Sequence, residues 1–127
     1  MDAASNGGKN VCPLGWHVPS DAEWTALVTY LGGDESVAGA KMKEAGFAHW
    51  AQPNTGATNA TGFTALPAGV RNTSAGSFDQ IGYYTYFWST TENNSWSGWS
   101  RELQSWYSTL LRTERSKPDG FSVRCLR

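Results

Sequence analysis

The chain has 127 residues, with 10 basic against 11 acidic side chains for a net charge of −1, a length that fits one domain. Charged residues make up 17% and aromatic residues 13%, with 7 Trp and 14 Gly, where a typical chain is about a quarter charged and roughly 7% Gly. This blend excludes a disordered tail, a coiled coil and a helical bundle. The near-zero charge without a basic block excludes an electrostatic nucleic-acid footprint.

Residues 1–8 hold no apolar stretch of the signal-peptide kind, and the Gly/Asn/Ser character of residues 3–10 predicts a loose N-terminus or linker over 1–11. No run approaches the roughly 18 apolar residues of a membrane span, so no membrane insertion is expected. Residues 12–127 then form a single domain. Cys12 and Cys125 stand near its two ends. They are either two buried free thiols or a disulfide. A bond would restrain the unfolded chain by roughly 4–5 kcal/mol and imply an oxidising compartment.

Residues 20–31 predict a helix. Ser20 and Glu23 form an S-x-x-E capping box, and Trp24, Leu27, Val28 and Leu31 recur at helical spacing. Gly32-Gly33 stops it. A second, weaker helix is expected over residues 35–45, with Val37, Ala38 and Met42 on one side and Gly39 an awkward interior residue. The polar stretch 49–62 is too long for a plain connector.

Downstream the period changes to two. Residues 63–71 contain Pro67 and Gly69 and predict at best a short or edge strand. Residues 83–89 are aromatic and strand-like. Trp99, Arg101 and Leu103 alternate with Ser100, Glu102 and Gln104, and Leu110 and Arg112 alternate with Thr109, Leu111 and Thr113. Phe121, Val123 and Cys125 repeat the pattern in a last strand. Two N-terminal helices followed by short antiparallel strands with long loops predict an α+β fold.

Motifs for catalysis are missing from the sequence: no G-x-S-x-G elbow, H-E-x-x-H pair, P-loop or G-x-G-x-x-G. His17 and His49 have no metal-ligand spacing partners, and His17 reads as a hydrogen-bonded structural residue. The carboxylates are scattered without an evident acid–base pair. Gln52-Pro53-Asn54 resembles the tripeptide by which calcium-dependent lectins hold a sugar-binding calcium, but their Trp-Asn-Asp partner segment is lacking, and a plain turn is the expectation. Neither enzyme activity nor a cofactor is therefore expected.

Residues 93–119 are the informative stretch. Trp99, Arg101, Leu103, Leu110 and Arg112 are the expected inward positions. The remaining positions have no local rationale: Ser97, Ser100, Glu102, Gln104, Ser105, Trp106, Tyr107, Thr109, Leu111, Thr113, Glu114, Arg115, Pro118 and Asp119. Large rings interspersed with Ser have the composition of a binding paratope, so these residues are the expected ligand contacts, with Trp106 and Tyr107 as anchors.

These segments also resemble a known family. Cys12-Pro-Leu-Gly-Trp-His-Val-Pro-Ser20, Tyr30-Leu-Gly-Gly33, Ala40-Lys-Met-Lys-Glu44 and Ala57-Thr-Asn-Ala-Thr-Gly-Phe-Thr-Ala-Leu-Pro-Ala-Gly69 are similar to the Fibrobacter succinogenes major paralogous domain. So are Phe87-Trp-Ser-Thr-Thr91, Trp99-x-Arg101-x-Leu103 and Gly120-Phe-Ser-Val-Arg-Cys-Leu126. The resemblance implies a C-type-lectin-like fold near that of formylglycine-generating enzymes, in bacterial cell-surface or secreted settings. Those enzymes use neighbouring cysteines; here only Cys125 lies in the C-terminal half, so their chemistry does not carry over.

The alternation in residues 97–119 is also similar to that of variable proteins of diversity-generating retroelements. The expected function is thus non-enzymatic binding of a protein or glycan ligand on another cell or surface, by an adhesin-like domain. Its setting would be extracellular, at the cell surface or on a phage particle, within a larger surface, pilus or phage-tail protein. The rival readings are a calcium-dependent lectin and a formylglycine-generating-enzyme-like domain.

Overall fold

The computed structural model describes residues 11–127, so the expected loose N-terminus lies outside the described residues except for Val11. Helix α1 (Asp21–Tyr30) opens on the expected capping box. Glu23 N–H donates to Ser20 Oγ at 3.1 Å, and Ser20 N–H donates to the Glu23 carboxylate at 2.7 Å. Gly32 and Gly33 N–H bond back to the carbonyls of Thr29 and Val28, closing its end. Trp24 and Val28 are its buried residues.

Helix α2 (Glu35–Met42) is capped by Asp34, whose carboxylate accepts from Ser36 N–H at 2.9 Å. It ends three residues before the expected Ala45, at Met42. Lys43 turns extended there because Ala65 takes over the backbone: Ala65 N–H donates to Met42 C=O, and Glu44 N–H donates to Ala65 C=O. The awkward Gly39 has a reason. A Cβ at that position would stand 2.5 Å from the Thr109 carbonyl oxygen and 2.6 Å from Leu103 Cδ2. Only glycine lets the helix approach this closely.

The strands form two antiparallel sheets. β1 (Val70–Arg71) pairs with β2 (Phe78–Asp79), while β3 (Tyr84–Glu92), β4 (Ser97–Gln104) and β5 (Leu111–Ser116) form a sheet in the order β3-β4-β5. The α+β reading therefore holds. The expected strand over 63–71 shrinks to its last two residues. The expected last strand over 121–125 becomes isolated bridges, Phe87 with Ser122 and His17 with Leu126. Ser122 spends both of its backbone groups on Tyr86 and Trp88, so the segment touches β3 at one point and moves on.

The core lies between the helices and one face of the larger sheet. Trp24 and Val28 from α1, Met42 from α2, Trp50 from the long loop, Phe87 from β3 and Leu103 from β4 form one buried cluster with Leu110. Trp24, Phe63 and Phe87 meet in tilted and edge-on contacts at 5.6–6.2 Å, geometries that suit the ring quadrupoles. The Trp50 indole donates to Ala65 C=O at 2.8 Å, so its polar end is satisfied.

Cys12 and Cys125 are bonded, which settles the open choice in favour of the disulfide. Such bonds persist in oxidising compartments, so the domain is non-cytoplasmic. No helix among the described residues is long and apolar enough to cross a membrane.

Two stability measurements check this architecture. Reduction of a bond that spans 113 residues is expected to lower the unfolding free energy by about 4–5 kcal/mol, read as a drop in the urea midpoint. Gly39→Ala is expected to destabilise by about 1–3 kcal/mol through overpacking, and an unchanged midpoint would contradict the close approach.

Candidate ligand-binding face

The helix-facing side of β4 is organised by a buried charge. Arg101 has no solvent contact. Its guanidinium donates to the Asp21 carboxylate at 2.8 Å and to Thr25 Oγ1 at 3.1 Å. Asp21 begins α1 and also accepts from Arg112 Nε and Nη2 at 2.9–3.1 Å. Arg112 in turn lies flat over Trp99, 3.4 Å from the ring centroid. Burial raises the Asp21 pKa, but the Arg112 hydrogen bond and the two guanidinium charges outweigh it and hold the carboxyl below its ordinary 3.8. One carboxylate thus fastens α1 to both β4 and β5.

The other side of the sheet follows from register. Glu102 pairs with Tyr86 on β3 and Leu111 on β5; Ser100 pairs with Trp88 and Thr113; Gln104 pairs with Tyr84. Side chains alternate along a strand, so Ser100, Glu102 and Gln104 share one face with Leu111, Thr113 and Arg115. The connection between β4 and β5 carries Trp106 and Tyr107 at its margin.

That face has its own polar closure. Arg115 donates to Glu102 at 2.7 Å, Gln104 donates to the other Glu102 oxygen, and Ser100 and Thr113 hydroxyls meet at 2.9 Å. The Arg115 guanidinium sits 5.0 Å from the Tyr86 ring centroid. Burial, aided by the Glu102 charge, pushes the Tyr86 hydroxyl up to about 12, and it donates to Gln80 at 2.9 Å. Phe121 stacks at 4.6 Å on both Tyr86 and Trp88. Trp106 stacks at 5.3 Å on Tyr83 and edge-on to Tyr84 at 5.7 Å, yet remains 43% exposed, beside Tyr107 at 59% and Leu111 at 41%. Trp106 thus rests on a pair of tyrosines, with polar side chains beside it.

The expected contact residues divide accordingly. Gln104, Trp106, Tyr107, Leu111, Thr113 and Arg115 come together with at least partial exposure. Ser97, Ser100, Glu102 and Ser105 do not face solvent; all four are buried. β4 is the central strand, and large side chains on β3 and β5 overshadow its small ones. Glu102 serves as the floor of the face through its ion pair. Ser97 and Glu114 belong to the opposite side, where their side chains meet at 2.6 Å. Thr109 packs its carbonyl toward Gly39. Pro118 and Asp119 lie beyond β5, with the Asp119 carbonyl accepting from the Trp88 indole at 3.2 Å. Arg112, expected to point inward, is part of the Asp21 clamp and is substantially exposed.

Sequence reasoning missed Tyr83 and Tyr84 as the platform under Trp106, because stacking joins residues more than twenty positions apart. It also missed Lys43, which lies in a helical-looking segment without any local signal.

Elsewhere, both histidines take carboxylate partners: His17 with Glu23 at 2.8 Å and His49 with Glu44 at 2.9 Å. The Asn54 amide donates to the carbonyls of Glu44 and Gly46 at 3.0 and 2.7 Å, so that side chain ties the loop together. Among the described residues, no group of three or more His, Cys, Asp or Glu is placed to hold a metal ion, and no described cavity gathers two carboxylates.

In comparison with known proteins, the sequence model of the Fibrobacter succinogenes major domain matches residues 2–127. No curated protein and no solved structure matches the chain.

The Asp21 clamp has a pH signature. A carboxyl whose folded pKa lies below its unfolded value contributes stability that is complete at neutral pH and lost as pH falls through and below about 3.8. Asp21→Ala leaves the Arg101 charge buried and unpaired, so a loss of about 3–5 kcal/mol is expected at pH 7. The gap between wild type and variant should narrow toward pH 3 in urea titrations. A gap independent of pH would contradict the clamp.

Proposed function

We propose that this chain, which belongs to the Fibrobacter succinogenes major domain family, is a non-enzymatic display domain that binds a protein or glycan partner. The binding surface is the outer face of β4 and β5 with their connection. The observation that carries this reading is the half-exposed Trp106, held in place by Tyr83 and Tyr84 beside the more open Tyr107. Ordering costs on binding are low when anchor rings are already fixed. The polar groups around them, Gln104, Thr113 and the Glu102–Arg115 pair, supply orientation.

The domain acts in a bacterial cell-surface or secreted protein, or on a phage particle, as part of a larger adhesin-like assembly on a C-type-lectin-like scaffold. The one-face placement of Gln104, Leu111, Thr113 and Arg115 suits a diversified cassette of the retroelement kind. Their exchange leaves the helix-side core intact. A reverse transcriptase and a template repeat beside the gene are then expected, and a neighbourhood without either contradicts that part of the reading.

Glycan and cell-surface protein arrays probed with wild type and with Trp106→Ala/Tyr107→Ala test the binding surface. Truncating such anchors costs about 1–3 kcal/mol each, roughly tenfold to hundredfold in affinity. A double variant that keeps its fold and loses its array signal supports the reading. Equal signals contradict it.

A further inference from the structure

Lys43 stands one residue past α2, and its side chain has no solvent contact. Its Nζ donates to three backbone carbonyls, Thr55 at 3.1 Å, Gln104 at 3.0 Å and Tyr107 at 2.9 Å. The ammonium also lies 5.4 Å from the centroid of the Trp50 ring. These acceptors come from three places: the long loop, the end of β4 and the connection to β5.

An ammonium has three donors and no acceptor, so three carbonyls saturate it. Without a cation, the negative ends of three peptide dipoles would converge on one point in a buried site. With it, each carbonyl gains a charge-assisted bond, which is about twice as strong as a neutral one. Burial draws the amine from 10.5 down to about 8, still protonated at neutral pH, and the carbonyl cage favours the charged form.

We infer that Lys43 is a tethered internal cation that fixes the Trp106–Tyr107 connection to the long loop, and so sets the shape of the recognition face. Two neighbouring backbone bonds also reach the connection. Thr55 N–H donates to Ser105 C=O at 2.8 Å, and Ala40 N–H donates to Ser108 C=O at 2.9 Å. Ala40 keeps its place in α2, and the connection is also tied to that helix by Leu110 N–H on Glu35 C=O at 2.9 Å and Ser108 Oγ on Ser36 C=O at 2.6 Å. The Thr55–Ser105 bond, by contrast, belongs to no helix or sheet ladder and leans on the cation. Lys43 meets the proposed contacts Gln104 and Tyr107 only at their backbone carbonyls, so it is a positioning residue that acts through them.

Amide hydrogen exchange tests this without any partner. Lys43→Met keeps the unbranched apolar stem, one atom shorter, and removes the charge and donors. Exchange at Thr55 is expected to accelerate tenfold or more, while amides of α2 and of the β3–β4 ladder keep their protection. Unchanged protection at Thr55 overturns the inference, and so does an equal acceleration throughout the sheet.

Lys43→Ala gives a second arm that survives poor folding. Adding n-propylammonium, which replaces the deleted atoms, should restore thermal stability or loop protection, whereas isosteric n-propanol should not. Equal effects of the two, or none from either, overturn the assignment. The consequence for binding rests on the function proposed above. Mobile loops in Lys43→Met with undiminished partner capture would support the cation and contradict that reading of the face.

Discussion

A guanidinium without solvent contact sits on the central strand of the larger sheet, and much of the architecture follows from the need to compensate it. Arg101 requires an anion, and Asp21 at the start of α1 supplies it. That pairing brings the helix N-terminus across β4, where the Ser20–Glu23 capping box fixes its direction. The same carboxylate then takes Arg112 from β5, whose guanidinium covers Trp99. One charge requirement thus aligns a helix and two strands, and the apolar cluster of Trp24, Phe87 and Leu103 fills the space beneath them.

The opposite face of the sheet is organised by different side chains of the same strands. Its charges close on each other through Glu102 and Arg115. Its rings form one continuous row, from Trp88 and Tyr86 around Phe121, through Tyr84 stacked on Tyr86 at 6.0 Å, to Trp106 and Tyr83. Exposed side chains at the edge of such a face exchange at small cost, since surface substitutions typically stay within about 0.5 kcal/mol. In the proposed display role, this separation of load between the two faces would let one scaffold present different contacts. Gly39 and Lys43 serve the boundary between them, the first by allowing α2 against Thr109 and Leu103, the second by gathering three loop carbonyls.

Local signals in the sequence carried through; long-range ones did not. The first helix was legible because a capping box, an apolar stripe and a Gly-Gly stop all lie within fourteen residues of one another. The alternation of Trp99, Arg101 and Leu103 correctly marked a strand and its helix-facing side. Period two could not reveal that Ser100 and Glu102 are buried as well, because their cover comes from Tyr86 and Trp88 on β3 and Arg115 on β5. α2 stopped early at Met42 because of Ala65, a residue more than twenty positions away. Composition drew attention to the exposed rings at 106 and 107, whereas the tyrosines stacked against Trp106 needed the fold.

The most direct test of this division compares two libraries by thermal or urea unfolding. One randomises Gln104, Trp106, Tyr107, Leu111 and Thr113, and the other randomises Arg101, Leu103 and Leu110. The account predicts that most members of the first pool still unfold cooperatively, while the second pool largely fails to fold. Comparable losses in both pools would contradict the separation of scaffold from recognition face.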